Sequence, residues 1–381
     1  MRRAIILSLL LLGAVSCHNS TNMEYADIPF LGSIEERNVK FFTDTLRVDA
    51  SATSTDGEWF LQKERLLFLD HNMVGIKEYD LEGNYLNRHI KRGRGPGENP
   101  APFFSGVMET EGFTGFDQGW FIKQYDSGFN LINSFRYEED LKVKASTINR
   151  LLLRPDPENP LMYEMNIMSK KMVKRGSRII LPIVTEHVRF NGYNKRSRAK
   201  RFWNESYIFM EIDSDSRKTG PLFGHYPPVY QNSNIPAFSD YYFDLRNDSL
   251  FVAFAADPNI YVFGRNNKLL FAFGYDAFEQ QAAYPETFTF EEYEAKWRAD
   301  RSEYGYYTGL LISGEYVFRT YKKQNNMGYG IQIYEGTKYI GEMHFKEEVR
   351  LIDYSGGILY LALPPDIDKD EMIIVKTKIC I

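Results

Sequence analysis

The sequence predicts an all-β chain folded as a six-bladed β-propeller with one helical insertion between blades. Three observations carry this expectation. A unit of apolar alternation, an aromatic residue, a turn of Gly or Asn and a second alternating run recurs along the chain. The units span about 40–60 residues, the spacing of propeller blades and not of a single sandwich. The chain also holds 26 Tyr and 28 Phe in 381 residues, side chains that favour strands over helices. Dividing it from about residue 30 gives six units if one or two carry insertions, with seven blades as the alternative count.

The first element is not part of the propeller. The chain opens MRRAIILSLLLLGAVSC. Arg2 and Arg3 form a positive n-region, residues 5–12 a short apolar core, and Gly13, Ala14 and Ser16 are small residues ahead of Cys17. That is a secretory signal, too short to span a bilayer as a helix. A cysteine directly after small residues resembles the lipobox of bacterial lipoproteins, which implies cleavage before Cys17 and acylation of its thiol. Residues 1–16 are therefore expected to be a leader, 17–29 a tether and 30–381 a single propeller domain. Cys17 and Cys380 are the only cysteines, so an acylated Cys17 leaves no intrachain disulfide and stability must come from a large core.

The repeat is clearest in LLFLD (66–70) followed by GIKEYDLEGNYLNRHIK. Residues 76–79 alternate, 80–84 turn the chain, and YLNRHIK reads as a fourth strand. GWFIKQYDSGFNLINSF repeats this with Tyr125, Asp126 and Gly128 in the same roles. LFVAFAADPNIYVFGRNNKLLFAFG gives a third copy, turning at Asn266 and Asn267, and GYGIQIYEGTKYIGEMHF a fourth, turning at Gly336. SGGILYLAL repeats the opening strand, and EMIIVKTKI adds another near the C-terminal end. Each unit reads as antiparallel strands joined by tight turns. Runs such as LLFL and LFVAFA lack polar alternation, as central strands buried on both faces do. FFTDTLRV (41–48) precedes the first full unit and MIIVKTKI (372–379) follows the last. Propellers avoid a free edge by pairing strands from the two termini, so these two are expected in one closing blade.

Between the first two copies lies IKRGRGPGENPAPFFSG (90–106). Its glycines suggest a phosphate loop, but the pattern G-x-G-P-G followed by Pro100 and Pro102 forbids the helix that a dinucleotide site needs, and no G-K-[ST] is present. In a propeller the stretch is the crossover from one blade's outer strand to the next blade's inner strand. Arg92, Arg94 and Glu98 are the side chains it can present to a ligand. Their alternative role is a brace, with Glu98 pairing an arginine or capping backbone N–H groups to lock two blades together.

Two segments break the repeat. Residues 141–203 are rich in Lys and Arg and end in NGYNKRSRAKRFW, where Lys195, Arg196, Arg198, Lys200 and Arg201 crowd between Tyr193 and Trp203. They could hold an anionic polymer such as lipopolysaccharide or an acidic glycan; the plainer reading is a solvated loop. TFTFEEYEAKWRADRSEYG reads as a helix, capped by Thr289 with Glu292 and carrying Phe290, Tyr293 and Trp297 on one face. It is taken as the inter-blade insertion.

Several chemistries lack a signature. Net charge is −5 and the pI about 5.8, without the basic excess of nucleic-acid binders. The six histidines show no metal-ligand spacing, and DIDKDE at 366–371 lacks the glycine and glutamate of a calcium loop. No G-x-S-x-G occurs. No catalytic residue, cofactor or metal is assigned from the sequence.

The lipobox, the IKEYDLEGNYL unit and the following GRGPGE resemble the TolB-like six-bladed β-propeller lipoproteins common in Bacteroidota. The resemblance covers nearly the whole chain beyond the leader, and EYVFRTYKK and the helix-bearing insertion also fit. It implies the fold and a cell-envelope location, with the chain held on the outer membrane by lipid, and little about activity. The expected function is non-catalytic binding of a peptide, partner protein or glycan. The alternative is a polysaccharide lyase or glycoside hydrolase with its site in the propeller funnel.

Overall fold

The computed structural model describes residues 23–380 except 96, 138–140, 142–143, 170, 186 and 279–280, and omits the side chains at 23 and 197. The leader and Cys17 therefore lie outside the described residues. Six antiparallel sheets form a ring, a six-bladed β-propeller. The innermost strands are Gly57–Gln62, Phe103–Glu109, Val173–Arg175, Tyr241–Arg246, Tyr306–Ser313 and Arg350–Ser355, each in contact with the next and the last with the first. The upper end of the ring is taken as the one bearing the second-to-third-strand turns and the blade-to-blade crossovers.

Closure follows the expected pairing. Lys40–Asp49 is the outer strand of the sixth blade and runs antiparallel to Glu371–Cys380, in unbroken register from Lys40 opposite Cys380 to Asp49 opposite Glu371. On its way there the N-terminal chain dresses two other blades. Phe30 bridges Ala272 at the edge of the fourth, and Ser33–Ile34 adds a parallel strand to Lys338–Phe345 of the fifth. These contacts satisfy edge groups that would otherwise be open to pairing.

The apolar runs fall where two-sided burial requires. In Arg65–Asp70, Leu66 and Phe68 pack with Ile352 and Ile374 of the sixth blade, while Leu67 and Leu69 pack with Phe103 and Phe113 of the second. The same division recurs between the fourth and fifth blades and between the fifth and sixth. A strand with period-two side chains thus feeds two interfaces at once. The lower turns repeat as well. Asp80 Oδ1 accepts from the N–H groups of Glu82 and Asn84, and Asp126 Oδ1 from those of Gly128 and Asn130, an Asx geometry that fixes each hairpin.

The basic segment departs from expectation. It is not a loop but contains the third blade's own strands, Glu164–Met165, Val173–Arg175 and Arg178–Val184. Nor is there only one helical insertion. Helices α1 (Ala145–Leu153), α2 (Arg196–Glu205) and α3 (Pro228–Asn232) join the expected α4 (Phe290–Glu303), and all four sit in upper connections. Helix α2 was hidden by its charge. Ala199, Phe202 and Trp203 form its buried face, and Trp203 Nε1 donates to Asn234 Oδ1 at 2.6 Å. Helix α4 begins as expected, with Thr289 Oγ1 accepting from the Glu292 N–H at 3.1 Å. Its Phe290 and Tyr293 pack on Tyr193.

Candidate functional site

The six inner strands surround an axial cavity of about 760 Å³. Its wall is mostly apolar, including Trp59, Val107, Met108, Met172 and Leu310. Apolar walls with a few placed polar groups are the usual make-up of a ligand pocket. The third blade shapes it most. Its inner strand is interrupted between Met165 and Val173, and residues of that excursion, Met168, Ser169, Lys171 and Met172, enter the cavity lining. Met168 is 79% exposed, a long apolar side chain presented to the open space.

Polar groups gather at two levels. Toward the upper mouth, His71 Nδ1 lies 3.9 Å from Asp56 Oδ1, Arg350 Nε pairs with Glu348 at 3.1 Å, and Thr308 Oγ1 donates to Thr320 Oγ1 at 2.9 Å. In the lower half, Lys171 Nζ sits 3.2 Å from Asp244 Oδ1. Asp244 also accepts from the N–H groups of Leu245 at 2.9 Å and Ile312 at 2.8 Å. Asp353, on the sixth blade's inner strand, is near enough to feel both charges. Burial pushes its carboxyl up to about 6 against the donated Tyr354 N–H, with Asp244 adding to the rise and Lys171 opposing it. Three blades thus bring together a carboxylate held by amides and a lysine, and a carboxyl raised by burial to about 6.

The crossover at 90–102 is part of the upper rim. Arg92 and Arg94 are exposed, and among the described residues neither pairs with Glu98. Glu98 folds back on its own loop, where its Oε2 accepts from the Gly95 N–H at 2.7 Å. A Cβ at Gly93 would stand 1.9 Å from that oxygen, so the carboxylate occupies the space a side chain would need. Asn99 ties the crossover to the second blade. Fully buried, its Oδ1 accepts from Lys123 Nζ and its Nδ2 donates to Ala101 O. Lys123 also lies 3.3 Å from the buried Asp117. The first blade repeats the device with Lys77 and Asp70, 3.5 Å apart and both buried. The sequence reading did not recognise these pairs; the shared signal is Asp closing a second strand and Lys as the second or third residue of the strand that follows.

The basic cluster is spread along α2. Arg196 pairs with Glu286 at 2.6 Å and Arg201 with Glu205 at 2.8 Å. Lys195 and Arg198 are exposed and Lys200 half-buried, and among the described residues these three make no ion pair. The five do not converge on one point. The predicted candidates therefore occupy two separate parts of the upper end, and the axial cavity is lined by none of them.

Of the residues assigned to the tether, Tyr25 and Ile28 pack on the propeller. Tyr25 is buried, its OH donates to His225 O, and its ring stands edge-on to Tyr261 at 5.0 Å. Among the described residues no helix is long and apolar enough to cross a membrane.

No protein-family model matches the chain, and comparison with curated proteins finds no relative. Solved structures do resemble it. A member of the DUF4221 family from Bacteroides vulgatus superposes with a TM-score of 0.65 at 14% identity, covering 91% of this chain and 99% of that one. An exported protein from Bacteroides fragilis gives a TM-score of 0.53 at 12% identity, covering 92% and 99%. At such identities the likeness establishes the propeller fold.

Proposed function

We propose that this chain is a lipid-anchored cell-envelope protein of the TolB-like propeller kind, whose axial cavity binds a peptide, a segment of a partner protein or a glycan without transforming it. The observation that carries the reading is the cavity itself: a wall of apolar and polar residues from all six blades, charges largely held in pairs, and a methionine-bearing excursion entering it. The leader ending at Cys17 and the similarity to a protein described as exported support the envelope location. Fractionation tests the anchor. Cys17→Ser should move the protein from membrane to soluble fraction, and unchanged retention overturns lipid attachment.

For the cavity, a thermal-shift screen of envelope glycans and peptides should yield a ligand whose effect is lost in Met168→Trp, which fills the opening, and kept in Met168→Ala. A ligand indifferent to both binds elsewhere and refutes the cavity reading. The Asp244, Lys171 and Asp353 arrangement favours one alternative, a glycoside hydrolase or lyase using the carboxyl near 6 as its acid or base. Product formation abolished by Asp353→Asn, with ligand binding retained, would establish it.

A further inference from the structure

We propose that the outer surface of the third blade's insertion, formed by α1, α2 and the chain before α2, lies against an anionic lipid surface and sets the orientation of the propeller on the membrane. Residues 144–158 and 187–205, which hold α1, α2 and the chain before α2, carry 9 Lys and Arg against 3 Asp and Glu, a net +6 in a chain whose net charge is −5. The remaining residues are acidic on balance.

The lobe also exposes apolar side chains among its cations. Leu152 and Leu153 at the end of α1 are 52% and 63% exposed, and Val188 is 75% exposed. They belong to one surface. Arg189 Nη1 donates to Leu153 O at 2.9 Å, and Arg201 Nη2 reaches Pro155 O at 3.5 Å. Arg150, Arg154, Arg189, Lys195 and Arg198 are all exposed, and among the described residues none makes an ion pair. Cations around protruding aliphatic groups match an interface of headgroup phosphates over acyl chains. A soluble polyanion would be held by the cations and would leave Leu153 and Val188 without a role.

The chain path brings this surface to the membrane. Tyr25 is fixed against His225, whose ring nitrogen Nδ1 hydrogen-bonds Ser206 O at the C-terminal cap of α2. From Cys17 to Met23 the chain spans at most about 20 Å. If Cys17 carries lipid, as proposed above, Met23 is held within that reach of the headgroups, and Tyr25, two residues on, is linked through His225 to the end of α2. A single tether leaves the propeller free to tumble; a second, electrostatic contact removes that freedom.

The test uses the processed chain from residue 17 with Cys17→Ser, so that no acyl chain contributes and the result is independent of whether lipid attachment is correct. It should co-sediment with phosphatidylcholine vesicles containing phosphatidylglycerol, weakly or not at all with phosphatidylcholine alone, and less as salt is raised. Arg154→Glu with Arg198→Glu should cut the partition coefficient at least about tenfold. Leu153→Ser with Val188→Ser should cut it several-fold without changing its salt dependence. Lys63→Glu with Lys268→Glu, exposed residues in lower turns, should leave it unchanged. All these sites are exposed, so thermal midpoints should match the parent. Equal binding to both vesicle types, or loss in the lower-turn variant as well, overturns the proposal. So does binding to dextran sulfate without binding to either vesicle, which would assign the lobe to a soluble polyanion.

Discussion

Arg319→Met is expected to be the most damaging polar substitution in the molecule, and the structure allows its size to be worked out. Arg319 is 0% exposed. Its Nε and Nη2 donate to Gln332 Oε1 at 2.9 and 2.6 Å, Nη2 also to Tyr334 OH at 2.9 Å and Tyr275 O at 2.8 Å, and Nη1 to Pro258 O at 2.7 Å. The guanidinium lies 3.8 Å from the Tyr307 ring centroid. Pro258 and Tyr275 belong to the fourth blade's upper connections, so one fifth-blade side chain closes the seam between the two. Methionine matches the length and supplies no donor, so Pro258 O loses the Arg319 donor, while Tyr275 O keeps Gln332 Nε2 and Tyr307 OH and Gln332 Oε1 keeps Tyr334 OH. Each charged hydrogen bond is worth about 1.5–3 kcal/mol, but the set acts as a unit, so about 3–5 kcal/mol is expected and not the sum. With a urea m-value of about 3 kcal/mol/M, the midpoint should fall by about 1–1.7 M. Arg319→Lys keeps the charge but loses the planar fork, and should fall between parent and Met. A Met variant within about 0.5 kcal/mol of the parent at unchanged m would falsify the seam argument.

Other outcomes follow from the same kind of accounting. Asn99→Ala should cost about 2–3 kcal/mol by leaving the Lys123 ammonium short of an acceptor, whereas Arg94→Ala should cost nearly nothing; equal effects in chemical denaturation would return the crossover's arginine to a bracing role. Removing 41–48 exposes the edge of Glu371–Cys380 and takes Leu46 and Val48 from the core, so the thermal midpoint should drop and the protein self-associate; an unaltered midpoint contradicts closure by this strand. Burial raises the Glu24 carboxyl to about 7, opposed by a backbone hydrogen bond involving His225. A raised carboxyl keeps its proton in the folded state while the unfolded chain releases it, so this group's contribution declines from about pH 4.5 to about 7 and is flat above. Glu24→Gln should therefore be the more stable protein at pH 8, by up to about 3 kcal/mol, and match the parent at pH 4.5; a constant difference across that range refutes the assignment. The His225 ring, lowered by burial, acts in the opposite sense at low pH and cancels in the comparison.

What could be read from the sequence was whatever repeats. The Asp80-to-Asn84 and Asp126-to-Asn130 turns are local, and their strands carry short-period patterns that survive without tertiary information. The closing pair was legible because both segments alternate and a propeller needs them. The third blade was not, because its inner strand is cut in two and its second and third strands are separated by α2, whose composition speaks of charge before it speaks of Phe202 and Trp203. The cavity was illegible for a different reason. Its lining is a few residues from each of six distant strands, and apolar members such as Trp59, Met108 and Leu310 are ordinary residues in their own units. Only the ring makes them neighbours.

The strand at 40–49 carries a consequence in time. Lys40 finds its partner Cys380 340 positions later, so the segment synthesised among the first can complete its blade only when nearly the whole chain is available. Until then the sixth blade lacks its outer layer and the interface with the first blade lacks Leu46 and Val48. Contacts of such long range form slowly, because loop closure precedes any reward. A chain bound for export gains from this delay. If this chain is exported, as proposed, it crosses a membrane before its ring can lock, and once locked its first and last blade strands hold each other through a ten-residue ladder.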